Sequence, residues 1–549
     1  MNAYVVSLSK YVNTGLLVCF TLLAYAGFAV RGNLARRVIE IVQRLILAAF
    51  LVNANFAIAW IVKGSAGRKL LLLCAMEILF LLSFMVLYRI VHEMANMLLF
   101  NNICMLLSIG FVMISRIAFY GDSGSTGYRS NEPIKQFVMA SAGLMIMLII
   151  PLFRRFFDAM RHLGIIFGIA GIIALDAVLL LSSETNGAMI TYTLARFTFQ
   201  PSEFVKILYI LMLAGLLSAE VTFERGILAT ILAAVHVGIL VLSTDLGSAL
   251  IFFAVYLMML FMASGRWSVL AGGAGLGAVS AIVLYTQFQH VQDRVLIWKD
   301  PFSDIDGRGF QIAQSLFAIS YGGPWGAGLT QGMPTKIPYV ESDFIFAAIT
   351  EEMGLVFGIC LLLLCVNCFL RILALSASYS NRFFQLFTYG AAVCYIFQTF
   401  LTVGGETKFI PLTGVTLPLV SYGGSSILST LIMFGMIEMI FILHEERTAH
   451  FMERYEMEHA GEGFPEEESG VPPGDFPEEG LMHAGRQDVI VTDPSSHGFT
   501  EEGLVPAGSL GEDSGTGNYK DYYKGFSSDE VPDGFPVNGI SEEGIFEDT

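Results

Sequence analysis

The ionisable side chains that could do chemistry concentrate in one polar interval, residues 287–343. Asp343 ends this interval and directly precedes an apolar run. A carboxylate placed there could accept a proton from a substrate within hydrogen-bond reach, so Asp343 is our first catalytic candidate. Glu351 and Glu352 follow two turns later, and positions i and i+8 share roughly one helix face, which predicts Glu351 below Asp343. The other charged residues of the interval are Arg294, Lys299, Asp300, Asp304, Asp306, Arg308, Lys336 and Glu341.

Two further polar clusters lie beside apolar runs, where charge is costly. Glu203 and Lys206 are three residues apart, so on a helix they share a face and can pair. The pair is either a structural ion pair or a polar wall for a charged substrate. Asp245 begins a later apolar run and is either a helix cap or a site carboxylate. The sequence leaves both alternatives open.

A third cluster, residues 411–426, contains two prolines and three glycines before the last apolar run. This composition predicts a non-helical segment. Irregular backbone at membrane depth is tolerated only where it is buried in protein or lines a cavity. Its N–H groups and the hydroxyls of Ser421, Tyr422 and Ser425 could meet an anionic ligand, because helix N-termini favour phosphate.

The composition indicates which class of protein carries these residues. Of 549 residues, 54% are hydrophobic and 14% charged, whereas a soluble domain is about 45–50% apolar and about 25% charged. The sequence therefore predicts an all-α polytopic membrane protein. About 13 runs approach the roughly 20 residues that a span needs. Three fall within 1–96 and ten within 97–445.

The distribution of arginines predicts the orientation, because cytoplasmic loops carry excess Lys and Arg. The N-terminus and the interval 287–343 are then outside the cytoplasmic membrane, and the C-terminus is in the cytoplasm. Arg68 and Lys69 do not follow this pattern, because it places their loop on the outer side. The arginines that share alternate loops are Arg31, Arg36, Arg37, Arg154, Arg155, Arg161, Arg225, Arg266, Arg371 and Arg382.

The net charge of −17 belongs to the C-terminal tail, 446–549. From Phe451 to Thr549 there are 24 acidic and 4 basic residues, so the rest of the chain is slightly basic. This Gly-, Glu- and Pro-rich composition predicts a disordered segment. It is either a solvated spacer or a set of docking motifs for a cytoplasmic partner. The membrane body shows no basic patch that would predict nucleic-acid binding.

The seven cysteines lie in or beside apolar runs and imply no disulfide framework. Cys365 and Cys368 have metal-ligand spacing, but no second pair or nearby histidine accompanies them. We interpret them as small packing residues.

The polar motifs resemble, in order and spacing, those of the SEDS family (shape, elongation, division and sporulation), which includes FtsW and RodA. The resemblance covers about 97–445, with the family's ten spans; 1–96 and the tail lie outside it. One departure is that Ile190 and Thr191 stand where the family usually has a basic residue and Trp. The matching stretches are 199–206, 245–247, 294–311, 343–354 and 411–426.

The resemblance implies a peptidoglycan glycosyltransferase that polymerises lipid II, an undecaprenyl-pyrophosphate disaccharide-peptide, on the outer face of the membrane. It implies a class B penicillin-binding protein transpeptidase as partner. Asp343 matches the family's carboxylate, which is thought to activate the acceptor hydroxyl. The substrate-binding candidates are Glu203, Lys206, Asp245, Arg294, Arg308, Lys336, Ser421, Tyr422 and Ser425, and the supporting candidates are Gln200, Ser202, Gln311, Glu351 and Glu352.

The position of Asp343 at a helix start raises a chemical difficulty. A helix N-terminus favours the ionised carboxylate, which makes Asp343 available at neutral pH but a weak base. For Asp343 to act as the base, either desolvation of its carboxylate or a divalent cation such as Mg²⁺ or Mn²⁺ would be needed. Two alternative functions are a flippase for the lipid-linked precursor, with Glu203 and Lys206 as a relay, and a non-catalytic scaffold for a transpeptidase.

Overall fold

The protein is a bundle of long helices. The structure, a computed structural model, describes residues 2–30, 32–62, 64–119, 131–181, 192–194, 197–219 and 223–460. Short 3-10 segments flank α6 and cover 334–336. The elements in chain order are α1 (Asn2–Ala29), α2 (Asn33–Val62), α3 (Gly64–Val91), α4 (Met97–Phe119), α5 (Glu132–Ile149), α6 (Arg154–Phe157), α7 (Gly164–Leu181), β1 (Tyr192–Leu194), β2 (Phe197–Phe199), α8 (Pro201–Leu217), α9 (Phe223–Leu242), α10 (Leu246–Ser264), α11 (Trp267–Gln287), α12 (Gln289–Lys299), α13 (Phe310–Gly322), α14 (Ile345–Met353), α15 (Leu355–Ser378), α16 (Arg382–Glu406) and α17 (Gly424–Ala460).

Twelve helices of the described residues are long and apolar enough to cross a membrane. The helix α8 has 17 residues, at the short end of the range for a span. The prediction of an all-α polytopic membrane protein is therefore confirmed. A two-stranded antiparallel hairpin, β1–β2, directly precedes α8.

The centre of the bundle is α4, whose apolar stretch is buried on every side. It packs against α2, α3, α5 and α15. Its first residue is Met97, at the boundary expected between the accessory helices and the core.

The sequence predicts one helix from Asp343 through Glu351 and beyond, and this prediction is wrong, because the structure divides the run into α14 and α15. The break is at Gly354, which has φ +91°, a backbone conformation that glycine adopts without steric cost. Backbone hydrogen bonds of Leu355 to Gly323 and of Val356 to Pro324 tie the break to the end of α13. The carboxylate at 343 therefore precedes a short helix of nine residues.

The predicted polar interval contains helices of its own. The first, α12, follows α11 almost directly, and α13 packs against α14. The turn after α13 pairs with the end of α14, since the N–H of Ala327 bonds the carbonyl of Glu351 at 2.9 Å and that of Gly328 bonds Glu352 at 2.8 Å. The two short helices thus form one unit.

The C-terminal boundary expected at 446 is wrong, because α17 continues to Ala460. The extension is rich in Glu, Arg and Met, which favour helix. The Arg154 guanidinium also pairs with the Glu446 carboxylate at 3.0 Å. The remainder of the predicted disordered tail lies outside the described residues.

The first accessory helix contacts the α13–α14 unit. The Lys10 ammonium donates to the Gly326 carbonyl at 2.7 Å, and the Thr14 hydroxyl lies 3.5 Å from the Met353 carbonyl. Further along α1, the carbonyl of Ala24 accepts from Arg371 of α15 at 2.8 Å. The accessory helices are therefore integrated with the segment that carries Asp343.

Replacing Lys10 with Met should destabilise the protein. The change leaves the Gly326 carbonyl without its charged donor, which is worth about 1–3 kcal/mol. We expect a lower Tm for purified K10M in detergent. The control is L8M, because Leu8 on the same helix is exposed. Equal Tm values for K10M and wild type would contradict the prediction.

Candidate active site

The segment that carries Asp343 is joined to the predicted non-helical segment 411–426. The N–H of Tyr422 donates to the Glu341 carbonyl at 2.7 Å. The Ser421 hydroxyl donates to the Ser342 carbonyl at 2.6 Å and accepts from the N–H of Leu417 at 2.9 Å. The hydroxyl of Ser421 thus holds backbone in place rather than facing an open site.

The remaining motifs meet at the same end of the bundle. The N–H of Gln200 donates to the Ser425 hydroxyl at 3.0 Å, and the Gln200 amide bonds Ser202 at 3.2 Å. The Ser202 hydroxyl then donates to Asp245 at 3.3 Å. Segments that are far apart in sequence thereby form one polar cluster. The sequence predicts this, because alternate loops between spans lie on the same side of a membrane.

Asp343 is half-buried, and the backbone of Gly414 lies beside its carboxylate. A Cβ built on Gly414 would lie 3.7 Å from the carboxylate oxygen Oδ2. Gly414 has φ +71°, so the sharp turn beside the carboxylate favours glycine.

Desolvation is the largest influence on Asp343 and raises the pKa of its carboxyl. The nearby Glu341 also raises this pKa, whereas a hydrogen bond from Ser342 and the charge of Arg294 lower it. The net direction is upward, which makes the carboxylate a stronger base than an ordinary aspartate.

Glu406, the last residue of α16, explains why the helix N-terminus does not reverse this effect. Its carboxylate accepts the N–H of Ala347 in the first turn of α14 at 2.7 Å. Glu406 is fully buried and close enough to Asp343 for the two charges to interact. The backbone donor at the start of α14 is thus satisfied by Glu406, and Asp343 is not the helix cap.

Arg294 is a cation whose charge acts on the candidate base. It donates to the carbonyls of Leu412 and Thr413 at 3.2 and 3.4 Å. Its guanidinium interacts with both Asp343 and Asp245, and burial lowers its pKa. Arg294 therefore links α12, the non-helical segment and two carboxylates.

The other two predicted cations lie in more open positions. Arg308 forms a salt bridge with Asp293 and is largely exposed. Lys336 is the exposed last residue of the short 3-10 segment, where its charge interacts with Glu351. Gln311 is half-buried in the first turn of α13. Their substrate-binding or supporting roles stay predictions.

Glu203 and Lys206 form the predicted ion pair, at 2.8 Å. Lys206 also donates to Gln398 at 2.7 Å, and Ser429 donates to Glu203 at 3.2 Å. The adjacent void of about 10 Å³ is close to the smallest that holds one water. The geometry therefore corresponds to the structural alternative.

Asp245 is a helix cap. Its carboxylate accepts the N–H of Ser248 in the first turn of α10 at 3.0 Å. Burial raises its pKa, and the hydrogen bonds of Ser248 lower it. Its position near Arg294 also makes it part of the electrostatic surroundings of the site.

Glu351 does not lie beneath Asp343. The helical spacing does not apply, because α14 begins at Ile345 and Asp343 precedes it. The Glu351 carboxylate instead accepts the N–H of Met333 at 2.7 Å.

Glu352 holds the preceding loop to α4. Its carboxylate pairs with Arg116 at 2.6 Å and accepts the N–H of Gly332 at 3.2 Å. Arg116 also donates to the Gly332 carbonyl at 3.0 Å. Both side chains are almost completely buried.

Three important residues were missed from the sequence: Arg116, Gln398 and Glu406. Each lies inside or at the end of an apolar run, and each is polar. The sequence did mark these positions, because a polar residue within a span is costly and needs a functional or structural explanation. Their partners come from distant helices and could not be named from spacing.

The comparisons with known proteins agree with these motifs. The model of the FTSW_RODA_SPOVE family, described as "Cell cycle protein", matches residues 96–446. Peptidoglycan glycosyltransferase RodA of Mycobacterium tuberculosis is 35% identical over 362 residues, covering 62% of this chain and 77% of the relative. Probable peptidoglycan glycosyltransferase FtsW of Aliivibrio salmonicida is 32% identical over 292 residues, covering 50% and 71%.

One solved structure is also similar. It was described under "Structural coordination of polymerization and crosslinking by a peptidoglycan synthase complex". The matched chain has 27% identity and a TM-score of 0.53. The match covers 64% of this chain and 98% of that one.

Breaking the buried pair of Arg116 and Glu352 should be strongly destabilising. Replacing Arg116 with Met leaves a buried carboxylate uncompensated, at a cost of about 3–5 kcal/mol. We expect a large loss of Tm for R116M and for E352L. The double variant R116M/E352L should recover part of the loss, since neither charge remains. A double variant that shows the full sum of both losses would argue against direct pairing.

The raised pKa of Asp343 predicts the acidic limb of the pH–rate profile. Protonation inactivates a general base, so the rate should fall as pH drops through a value above the ordinary aspartate pKa of about 3.9. Replacing Ser342 with Ala removes the hydrogen bond that lowers the pKa of Asp343 and should therefore move this limb to higher pH.

The control for the pH measurement is S303A, because Ser303 is exposed in the same interval and bonds only the Asp300 carbonyl among described groups. Its acidic limb should match that of wild type. If the acidic limb of S342A lies at the same pH as that of wild type, the group that titrates there is not Asp343.

Proposed function

Because the chain belongs to the FtsW, RodA and SpoVE family, we infer that it is a peptidoglycan glycosyltransferase that polymerises lipid II into glycan strands. The observation that carries the proposal is the position of Asp343. It is a half-buried carboxylate with a raised pKa, at the point where the family's separate motifs meet.

In the proposed reaction, Asp343 accepts the proton of the acceptor sugar hydroxyl. The hydroxyl oxygen bonds the donor anomeric carbon, and the bond from that carbon to undecaprenyl pyrophosphate breaks. The base must lie within about 2.6–3.2 Å of the proton-bearing oxygen. Gly414 has no side chain beside Oδ2, where a Cβ would lie 3.7 Å from that oxygen.

Arg294 is the best-supported partner for the leaving pyrophosphate. It lies beside Asp343, and guanidinium groups bind phosphate through directed hydrogen bonds. Its contacts with the carbonyls of Leu412 and Thr413 are long, at 3.2 and 3.4 Å. A phosphate could therefore compete for the same N–H groups at small cost.

A divalent cation at this site would need ligands from the substrate as well as from the protein. Among the described residues, no three His, Cys, Asp or Glu side chains gather to hold a metal ion. Magnesium is usually bound by one or two carboxylates plus substrate phosphates, and Asp343 can supply one such carboxylate. A bound Mg²⁺ or Mn²⁺ would make the acceptor hydroxyl more acidic.

We propose that this end of the bundle faces the outside of the cytoplasmic membrane. Arg266 and the arginines at or near helix ends, Arg154, Arg155, Arg225 and Arg382, lie at the other end of the spans, as expected for the cytoplasmic side. Arg116 is at the outer end but is neutralised by Glu352. The N-terminus is then outside and α17 ends in the cytoplasm.

We further propose a class B penicillin-binding protein transpeptidase as the partner. The similar solved chain belongs to a complex that coordinates polymerisation with crosslinking. A strand polymerase needs such an activity beside it, because uncrosslinked strands do not form a wall. This partner is a separate proposal from the catalytic role of Asp343.

Replacing Asp343 with Ala should abolish most of the polymerase activity. Loss of a general base typically costs about 10²–10⁴-fold in rate. The measurement is polymerisation of labelled lipid II by purified protein. The matched control is D306A, because Asp306 is an exposed aspartate of the same interval. It should retain near wild-type activity.

The outcomes distinguish the alternatives. Equal activity of D343A and wild type would remove Asp343 from catalysis. If wild type makes no glycan but vesicles that contain it scramble lipid II, the protein is a flippase. If it does neither and still retains a transpeptidase, it is a scaffold.

A further inference from the structure

The first accessory helix, α1, makes contacts that the proposed reaction does not use. It packs along α15 and reaches α14, the short helix that follows Asp343. The family model matches residues 96–446, so α14 and α15 belong to the family core and α1 precedes it. The contacts of α1 are therefore an addition to that core.

One face of α1 contacts both ends of the segment from Gly326 to Met353, which carries Asp343 and is called the Asp343 segment below. The Lys10 ammonium donates to the Gly326 carbonyl at 2.7 Å. One turn later, the Thr14 hydroxyl lies 3.5 Å from the Met353 carbonyl. Positions i and i+4 share a helix face, so the same side of α1 lies against the beginning and the end of the Asp343 segment.

The two ends of the Asp343 segment are also bonded to each other. The N–H of Ala327 donates to the Glu351 carbonyl at 2.9 Å, and the N–H of Gly328 donates to the Glu352 carbonyl at 2.8 Å. A little further along the chain, the N–H of Met333 donates to the Glu351 carboxylate at 2.7 Å. The segment is therefore a loop whose base is closed by backbone bonds and whose next turn is held by a side chain of α14.

Lys10 is itself held in place by α2. The Asn53 amide donates to the side chains of Asn13 and Ser9 at 2.8 and 3.1 Å, and these two residues lie on either side of Lys10 in α1. The turn of α1 that carries Lys10 is thus fixed to a second helix. The ammonium reaches the Gly326 carbonyl from a fixed backbone.

The other end of α1 is anchored to α15. The Arg371 guanidinium donates to the Ala24 carbonyl at 2.8 Å and lies 4.4 Å from the centre of the Phe28 ring. The Tyr25 hydroxyl donates to the Leu363 carbonyl at 3.0 Å. The helix α1 is therefore held to the core at both ends, and only its outer end contacts the Asp343 segment.

We propose that α1 is a positioning element for the candidate base and that it acts through Lys10. By bonding the base of the Asp343 segment, Lys10 keeps Asp343 desolvated and in place against the non-helical segment 411–426. This inference rests on the proposed function for its effect on rate. Because Lys10 touches no reacting group, its loss should slow the chemical step and leave substrate binding nearly unchanged.

The test compares purified full-length wild type with K10M, K10R and Y25F. The conservative variant K10R keeps a charged donor. The matched control is Y25F, because it also removes a hydrogen bond from α1 to a core carbonyl, but one inside α15 and outside the Asp343 segment. Polymerisation of labelled lipid II is measured below the Tm of every variant, and gives kcat, KM and the pH of the acidic limb. Hydrogen exchange of backbone N–H groups in 327–333 is measured by mass spectrometry on the same proteins.

The variant K10M should lower kcat by about tenfold or more, because a catalytic group misplaced by about 1 Å can cost as much as about a hundredfold. Its KM should change by less than about threefold. The acidic limb should move to lower pH, since a loosened segment admits water and desolvation is what raises the pKa of Asp343. Exchange in 327–333 should be faster. K10R should recover most of these changes, and Y25F should match wild type in kcat, in the acidic limb and in exchange.

Unchanged exchange in K10M would overturn the inference, because Lys10 would then not hold the segment. Faster exchange with an unchanged kcat and acidic limb would also overturn it and leave Lys10 with a stabilising role alone. Equal losses of kcat in K10M and Y25F would count against it as well, since they would reflect a general loss of stability. If wild type does not polymerise lipid II, the proposed function fails and the positioning of a base fails with it, whereas the exchange result still decides whether α1 holds the Asp343 segment.

Discussion

The hydrogen bond from the N–H of Ala347 to the Glu406 carboxylate determines the character of the site. Glu406 is buried at the end of α16, and its backbone carbonyl also accepts the Ser315 hydroxyl of α13 at 2.9 Å. One residue therefore joins α13, α14 and α16. The helix α14 begins at Ile345 with Phe344 at its N-cap, so Asp343 lies outside the helix, where desolvation decides its pKa. The difficulty that a helix N-terminus would make Asp343 a weak base thereby has a physical answer.

The meeting of the motifs could be predicted from the sequence, because hydrophobic runs fix which loops share a side of the membrane. Asp343, Asp245 and the segments at 200 and 411–426 all lie on the same side by this parity. The break at Gly354 was not predicted, because an isolated glycine inside a helical pattern is usually tolerated. Glu406 was missed for a related reason: it follows two glycines at the end of a span, where a polar residue is ordinary.

The structure gives partners to the residues whose roles the sequence left open. Lys206 pairs with Glu203 and also donates to Gln398, from a helix far along the chain. Asp245 caps α10 by accepting the N–H of Ser248, and its charge also interacts with Arg294. Residue type and spacing could not name Gln398 or Arg294, because these contacts come from tertiary packing.

Charge within a membrane protein is expensive, and the described core mostly balances it. Arg116 is paired with Glu352, Lys206 with Glu203, and Glu406 with backbone N–H groups. The stabilisation of Asp343 comes from one serine hydroxyl and from a guanidinium that is itself bonded to carbonyls. Weak compensation does not by itself identify a chemical role, because a carboxylate oxygen of the buried Glu77 in α3 also has no hydrogen-bond partner among the described residues. Asp343 is distinguished by its place, since its segment is joined to the non-helical segment 411–426 and its charge interacts with Arg294. Titratable groups that combine burial with a specific charge partner cluster at functional sites.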